Sequence, residues 1–151
     1  MSEIVNGNKY GSVELELISQ FESANDVVLP DDYKNFLLKY NGGEPKPAIE
    51  PTIKSDVQWI YGMVSEPYFA SLFQHLDTFQ GRLPSWYIPI ANDSGGNLYV
   101  MSLYEENHGV IAFWSHENEA EEGQADQYFD NMQFVAPSFT DFLNQLVDHI
   151  D

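Results

Sequence analysis

Residues 29–43 read LPDDYKNFLLKYNGG, and this stretch writes a helix together with both of its ends. Leu29 is an apolar lead-in, and Pro30 suits the first helical position, where its missing N–H costs nothing. Asp31 and Asp32 place negative charge at the positive end of the helix dipole. Tyr33, Phe36, Leu37 and Tyr40 follow at i, i+3, i+4 and i+7, a single stripe for burial. Asn41, Gly42 and Gly43 supply a left-handed stop. The helix is scaffold: none of its residues calls for a catalytic role.

Outward from this helix, other elements can be placed. Upstream, Ser12 can cap a first helix, with Val13, Leu17, Ile18 and Phe21 as its apolar face. Downstream, EPKPAIEPT holds Pro45, Pro47 and Pro51, which excludes helix and reads as an ordered loop. Val57 to Met63 has the β-branched and aromatic weight of a buried strand. Helical spacing returns over 66–79, with Phe69, Leu72, Phe73 and Leu76 as the stripe and Gly81 and Pro84 as the stop. Trp86 to Ala91 reads as a strand in which Pro89 marks an edge or a bulge. Asn97 to Leu103 and Gly109 to Ser115 are two further strands, joined by a polar connection that suits a hairpin. The acidic run 117–126 reads as a solvated loop or a frayed turn, and Met132 to Val135 as a minor edge strand. Ser138 can cap a last helix with Phe139, Phe142, Leu143, Leu146 and Ile150 as its stripe.

Clustered strands without regular helical crossovers favour an α+β fold over a doubly wound sheet. The expected architecture is one mostly antiparallel sheet with helices packed on one face, in a single domain over residues 1–151, with no repeat and no interdomain linker.

Composition narrows the function. With 43% hydrophobic and 15% aromatic residues among 151, the chain can bury a core despite its net charge of −18. No window approaches the roughly 18 apolar residues of a membrane helix, and the N-terminus lacks the pattern of a signal peptide, so a cytoplasmic location is expected. With no cysteine, disulfides, thiolate catalysis and cysteine-based zinc sites are excluded. The charge is uneven: all six basic residues lie within the first 82 positions, and Leu83 to Asp151 carries twelve acids without a Lys or Arg. Such a surface repels nucleic acid and anionic membranes and attracts basic partners.

Catalytic and metal candidates are thin. Asp93-Ser94-Gly95-Gly96 mimics the nucleophile segment of a serine protease, but a triad needs a base beside the serine. His75, the one histidine upstream, falls in a predicted helix, so a turn built for its geometry is the expected role. His108 and His116 flank a predicted strand beside Glu105, Glu106, Glu117 and Glu119, and a hairpin could bring them together at one end. No HExxH, EF-hand or Cys–His spacing accompanies them, so neither a metal nor a cofactor is expected, and no catalytic residue is assigned.

Four blocks in order resemble one family. The helix pattern LP.DYK.FL..YNGG.P is similar to the signature of the SUKH superfamily, which contains bacterial immunity proteins and fungal regulators of cell-wall synthesis. Residues 88–103, IPIANDSGGNLYVMSL, resemble its central strand–turn–strand. Residues 109–116, GVIAFWSH, resemble the next strand, and residues 136–146, APSFTDFLNQL, the closing helix. Residues 52–80 match loosely, and the acidic insert from 117 to 130 stands outside the pattern.

The resemblance implies a non-enzymatic binding protein that protects a producing cell by occluding a toxin domain of nuclease or deaminase type, whose cleft would be basic. A regulatory scaffold of the cell-wall or signalling type, and a small-ligand binder or enzyme, are the alternatives. On the leading reading the electrostatic contact set is Glu105, Glu106, Glu117, Glu119, Glu121, Glu122 and Asp126. Trp59, Trp86 or Tyr87 would supply an aromatic anchor if exposed.

Overall fold

The helix read from residues 29–43 forms, one residue later than its proline suggests. Pro30 sits outside the first turn as the N-cap, α2 spans Asp31–Tyr40, and Asn41 closes it in the left-handed region at φ 42°. Tyr33, Phe36 and Leu37 are buried and Tyr40 is partly buried. The computed structural model describes residues 3–150. Upstream of α2 lie β1 (Glu3–Val5) and α1 (Leu15–Asn25). Downstream follow β2 (Glu44–Lys46), β3 (Ile49–Glu50), β4 (Ser55–Asp56), β5 (Trp59–Ile60) and α3 (Leu72–Phe79). The chain continues through β6 (Tyr87–Asn92), β7 (Leu98–Ser102), β8 (Ile111–Trp114), β9 (Met132–Ala136) and α4 (Phe139–Asn144).

β5 to β9 form one antiparallel five-stranded sheet in chain order, and β1–β2 and β3–β4 form two small antiparallel pairs. The fold is α+β. Pro89 sits where the β6–β7 register shifts, and the irregularity lets a proline occupy an interior strand.

Alternation gives the sheet two different faces. Tyr99 and Met101 of β7, with Ile111 and Phe113 of β8, point into the main core. There Tyr99 meets Phe142 of α4 with ring centroids 5.3 Å apart, and Phe139 meets Tyr33 and Phe36 of α2 at 5.2 and 4.9 Å. Each such ring contributes about 1.5–3 kcal/mol through burial. Leu98, Val100, Ala112 and Trp114 point the other way, into a smaller cluster with Leu83, Phe79, Tyr87 and Met132.

Several local expectations change. α1 starts at Leu15 with Glu14 as N-cap and no side-chain cap, so Ser12 does not cap it, and Leu17 is exposed. The expected strand from 57 to 63 shortens to Trp59–Ile60 because its later amides find other partners. Gly62 N–H donates to Ala70 O at 2.9 Å and Met63 N–H to Asn41 Oδ1 at 2.7 Å. The expected helix over 66–79 begins only at Leu72. Ser71 caps it, its Oγ accepting from Gln74 N–H at 3.1 Å and donating to Val64 O at 2.6 Å. Phe69 therefore lies before the helix and is exposed, resting on Tyr10 and Trp59. The proline-rich loop contributes β2 and β3, and β1 pairs with β2. α4 ends at Asn144, so Ile150 lies beyond its stripe and is exposed.

Two ties hold α2 in place. Asp32 Oδ1 accepts from Tyr33 N–H, while its Oδ2 accepts from the N–H and hydroxyl of Thr140 at 2.9 and 2.8 Å, joining the starts of α2 and α4. At the other end, Gly43 exchanges both backbone hydrogen bonds with Ile60, at 3.0 and 2.8 Å. The closing Asn-Gly-Gly thus continues the sheet pairing at β5.

Candidate partner-binding surface

The face of the sheet carrying Val100, Ala112 and Trp114 is covered by chain rather than by a full layer of helices. After Trp114 the chain leaves the sheet for residues 115–131 and returns at β9. This segment is ordered by specific ties, and it makes two short 3₁₀ turns, His116–Asn118 and Ala125–Gln127. Arg82 grips the Glu119 carboxylate with two donors, Nε at 3.1 Å and Nη2 at 2.9 Å, and this pairing, offset by partial burial, raises the guanidinium pKa. Asp126 accepts from the N–H and hydroxyl of Ser85 at 2.7 and 3.0 Å. Ala125 is buried.

The ties bring the segment to Trp86. Its ring lies 6.0 Å from Phe129 of the acidic segment, 5.8 Å from Tyr104 of the β7–β8 connection and 6.1 Å from Tyr87. Tyr104 and Phe129 are 49% and 45% exposed, and Trp86 and Tyr87 are partly buried. Phe134, 59% exposed, pairs with Ala112 in the register of β8 and β9, so it stands on this same face. Exposed aromatic residues in a cluster are the composition expected of an interface centre.

The predicted contact residues fall into distinct places. Glu117, Glu121 and Glu122 are exposed on the acidic segment. Glu117 and Glu121, with Glu119, Gln124 and Tyr128, border an open concavity of about 570 Å³. Glu119 and Asp126 are occupied by Arg82 and Ser85. Glu105 and Glu106 are exposed in the 3₁₀ turn that follows Tyr104. Trp59 does not meet the condition set for an anchor: it is 8% exposed beneath Tyr10 and Phe69. Tyr104, Phe129 and Phe134 were absent from the sequence-level set. Their apolar rings at polar loop and edge-strand positions were the one available signal.

The two histidines do not form the rim that a hairpin could have assembled. His108 precedes β8 and bonds the carbonyl of Val28, whereas His116 follows β8 and its Nε2 bonds the carbonyl of Gly95 at 2.9 Å. They stand at opposite ends of the strand, and among the described residues no group of three or more His, Asp or Glu side chains is placed to hold a metal ion.

The Asp93-Ser94-Gly95-Gly96 segment is a turn organised by its aspartate. Asp93 is buried and accepts from Gly95 and Asn97 N–H, Asn97 Nδ2 and Ser55 Oγ, at 2.8–3.0 Å. Burial by itself would raise its pKa, but these donors outweigh it and hold the carboxyl below its ordinary range. Ser94 Oγ donates to Asp56 at 3.1 Å. The ring of His116 bonds the Gly95 carbonyl through Nε2 and that of His75 bonds Ser71 O through Nδ1 at 2.7 Å, whereas the Ser94 hydroxyl is directed to Asp56. His75 is buried against Tyr61, 3.9 Å between ring centroids, and burial lowers its pKa despite the Ser71 bond.

Among the described residues no helix is long and apolar enough to cross a membrane. The chain is 30% identical to the SPbeta prophage-derived uncharacterized protein YokK of Bacillus subtilis (strain 168), across 95% of this chain and 80% of that one. A family profile matches residues 12–145, from the approach to α1 through the end of α4. The sequence blocks, the α+β sheet they build and this match agree: the chain belongs to the SMI1 / KNR4 family (SUKH-1).

Proposed function

We propose that this chain is a non-catalytic binding protein of the immunity type, acting in the cytoplasm and occluding the basic cleft of a cognate toxin domain. The observation that carries the reading is the joining of charge and apolar surface on one face. The half of the chain without a Lys or Arg folds its acidic segment, 115–131, against a sheet face with exposed aromatic rings. A toxin acting on nucleic acid binds a polyanion through cations, and carboxylates can stand where phosphates would. Opposite charge also raises the encounter rate, which suits capture before damage occurs. Glu117, Glu121 and Glu122 are exposed and take the contact role. Glu119 and Asp126 hold the segment in position, while Glu105 and Glu106 extend the negative surface beside Tyr104.

The test is co-expression with any nuclease- or deaminase-type toxin domain found in a neighbouring reading frame, scored for rescue of growth and for co-purification. Rescue with a stoichiometric complex is expected, and the absence of both refutes the pairing. Reversing Glu117, Glu121 and Glu122 to lysine should slow association and flatten its salt dependence. An unchanged association rate removes the acidic segment from the contact.

A further inference from the structure

Resting on the binding-protein reading above, we propose that the rings around Trp86 form a socket for an arginine side chain of the partner. Tyr104 and Phe129 each pack against Trp86, tilted 51° and 44° to it, so neither closes into a parallel stack with the indole. Both flanking rings are exposed, and both are followed directly in the chain by exposed carboxylates: Glu105 and Glu106 after Tyr104, Asp130 after Phe129. Ring faces attract a cation, and carboxylates beside them accept its N–H groups. Among the described residues no Lys or Arg lies over these three rings.

The molecule contains a filled example of the same chemistry. Arg82, its one arginine, lays its guanidinium 4.4 Å from the Phe79 ring centre and 5.8 Å from that of Trp114, and forks onto Glu119. Trp114 belongs to the same sheet face that carries Phe134. The Trp86 cluster repeats the rings, has exposed carboxylates next to them in the chain, and lacks the guanidinium. Arginine fits better than lysine because its planar group stacks on rings and sheds water more readily than an ammonium. The charge is complementary, since a chain of net charge −18 selects a cationic occupant and repels a second copy of itself.

The probe is L-argininamide, with L-lysinamide and L-citrullinamide for comparison, titrated at matched ionic strength into the isotope-labelled full chain and followed by NMR. The Trp86 indole and the Tyr104 and Phe129 rings should shift saturably, with argininamide binding about two- to fivefold tighter than lysinamide and citrullinamide producing no saturation. Trp86→Leu should bring argininamide down to the lysinamide level, and Trp86→Phe should restore much of the preference. The buried Trp59 and Trp114 indole signals report that each variant remains folded. Equal responses to the two cations, or shifts centred away from these rings, overturn the proposal. In the co-expression assay the two readings part. Arginine preference without rescue supports the socket and refutes the immunity reading, whereas rescue and affinity undiminished by Trp86→Leu overturn the socket and leave that reading standing.

Discussion

Asn41→Ala is the most informative single perturbation of the scaffold. Asn41 is buried and left-handed at φ 42°. Its Oδ1 accepts the Met63 N–H at 2.7 Å and its Nδ2 donates to Gly11 O at 2.9 Å. Alanine leaves the Met63 amide unpaired in a buried position, at about 1–3 kcal/mol. It also places a Cβ residue without a compensating side chain in the left-handed region, at about 1–2 kcal/mol. The sum is about 2–5 kcal/mol, equivalent to a fall in Tm of about 4–20 °C for a chain of this size. Asn41→Gly separates the two contributions, because glycine keeps the backbone conformation and loses only the side-chain bonds. Urea unfolding followed by tryptophan fluorescence reads both variants, with an unchanged m value confirming that the native state alone was perturbed. A loss below about 1 kcal/mol for alanine, or a glycine variant as stable as the parent, would refute the account of Asn41 as a clasp between the end of α2 and the chain that follows β5.

Three other outcomes follow from the same geometry. A Cβ at Gly62 would lie 2.1 Å from the Asn41 backbone oxygen, so Gly62→Ala should destabilise by about 3 kcal/mol or more, read as a large drop in the urea midpoint or loss of soluble protein; near-parental stability would contradict the close approach. His75 has a lowered folded pKa, so the native state binds fewer protons than the unfolded chain, and its contribution is present above about pH 6.5 and declines as pH falls below that value. The parent should therefore lose more stability than His75→Phe between pH 7.5 and 5.5, and parallel losses would remove His75 from the pH response. Asp93 also has a lowered folded pKa, but as an acid its contribution is present above the unfolded carboxylate value, about 3.9, and is lost as pH falls through the lower folded value. Asp93→Asn should accordingly weaken the protein at neutral pH and flatten its acid-denaturation profile, and an unaltered profile would show that the donors around Asp93 do not favour its charged form.

Elements with strong local signals were legible one by one. The 29–43 helix, the β7–β8 hairpin and the Ser138-capped α4 each combine periodicity with a start or stop residue, and those signals act within a few residues. Boundaries failed where a distant group intervened. The strand expected through Met63 was cut short by the side chain of Asn41, and the helix expected from 66 was delayed by Ser71 bonding back to Val64. β1 and β2 carry no strong alternation of their own and exist through pairing with each other. In the candidate surface the acids and Trp86 could be named from composition and position. Tyr104, Phe129 and Phe134 could not, since exposure of an aromatic ring depends on what the rest of the chain covers.

By itself, the sequence determined the α2 helix and its ends, the α+β order, the family, and the separation of cations from anions along the chain. These depend on local backbone preference, periodicity and composition, which any single chain displays. Only the tertiary structure decided that the Asn-Gly-Gly stop would clasp β5, that Glu119 and Asp126 would hold the acidic segment in place, and that Trp59 would be buried while Trp86 gathers exposed rings. The reason is that a side chain's burial and partners are set by residues tens of positions away, and those meet it only when the sheet has formed.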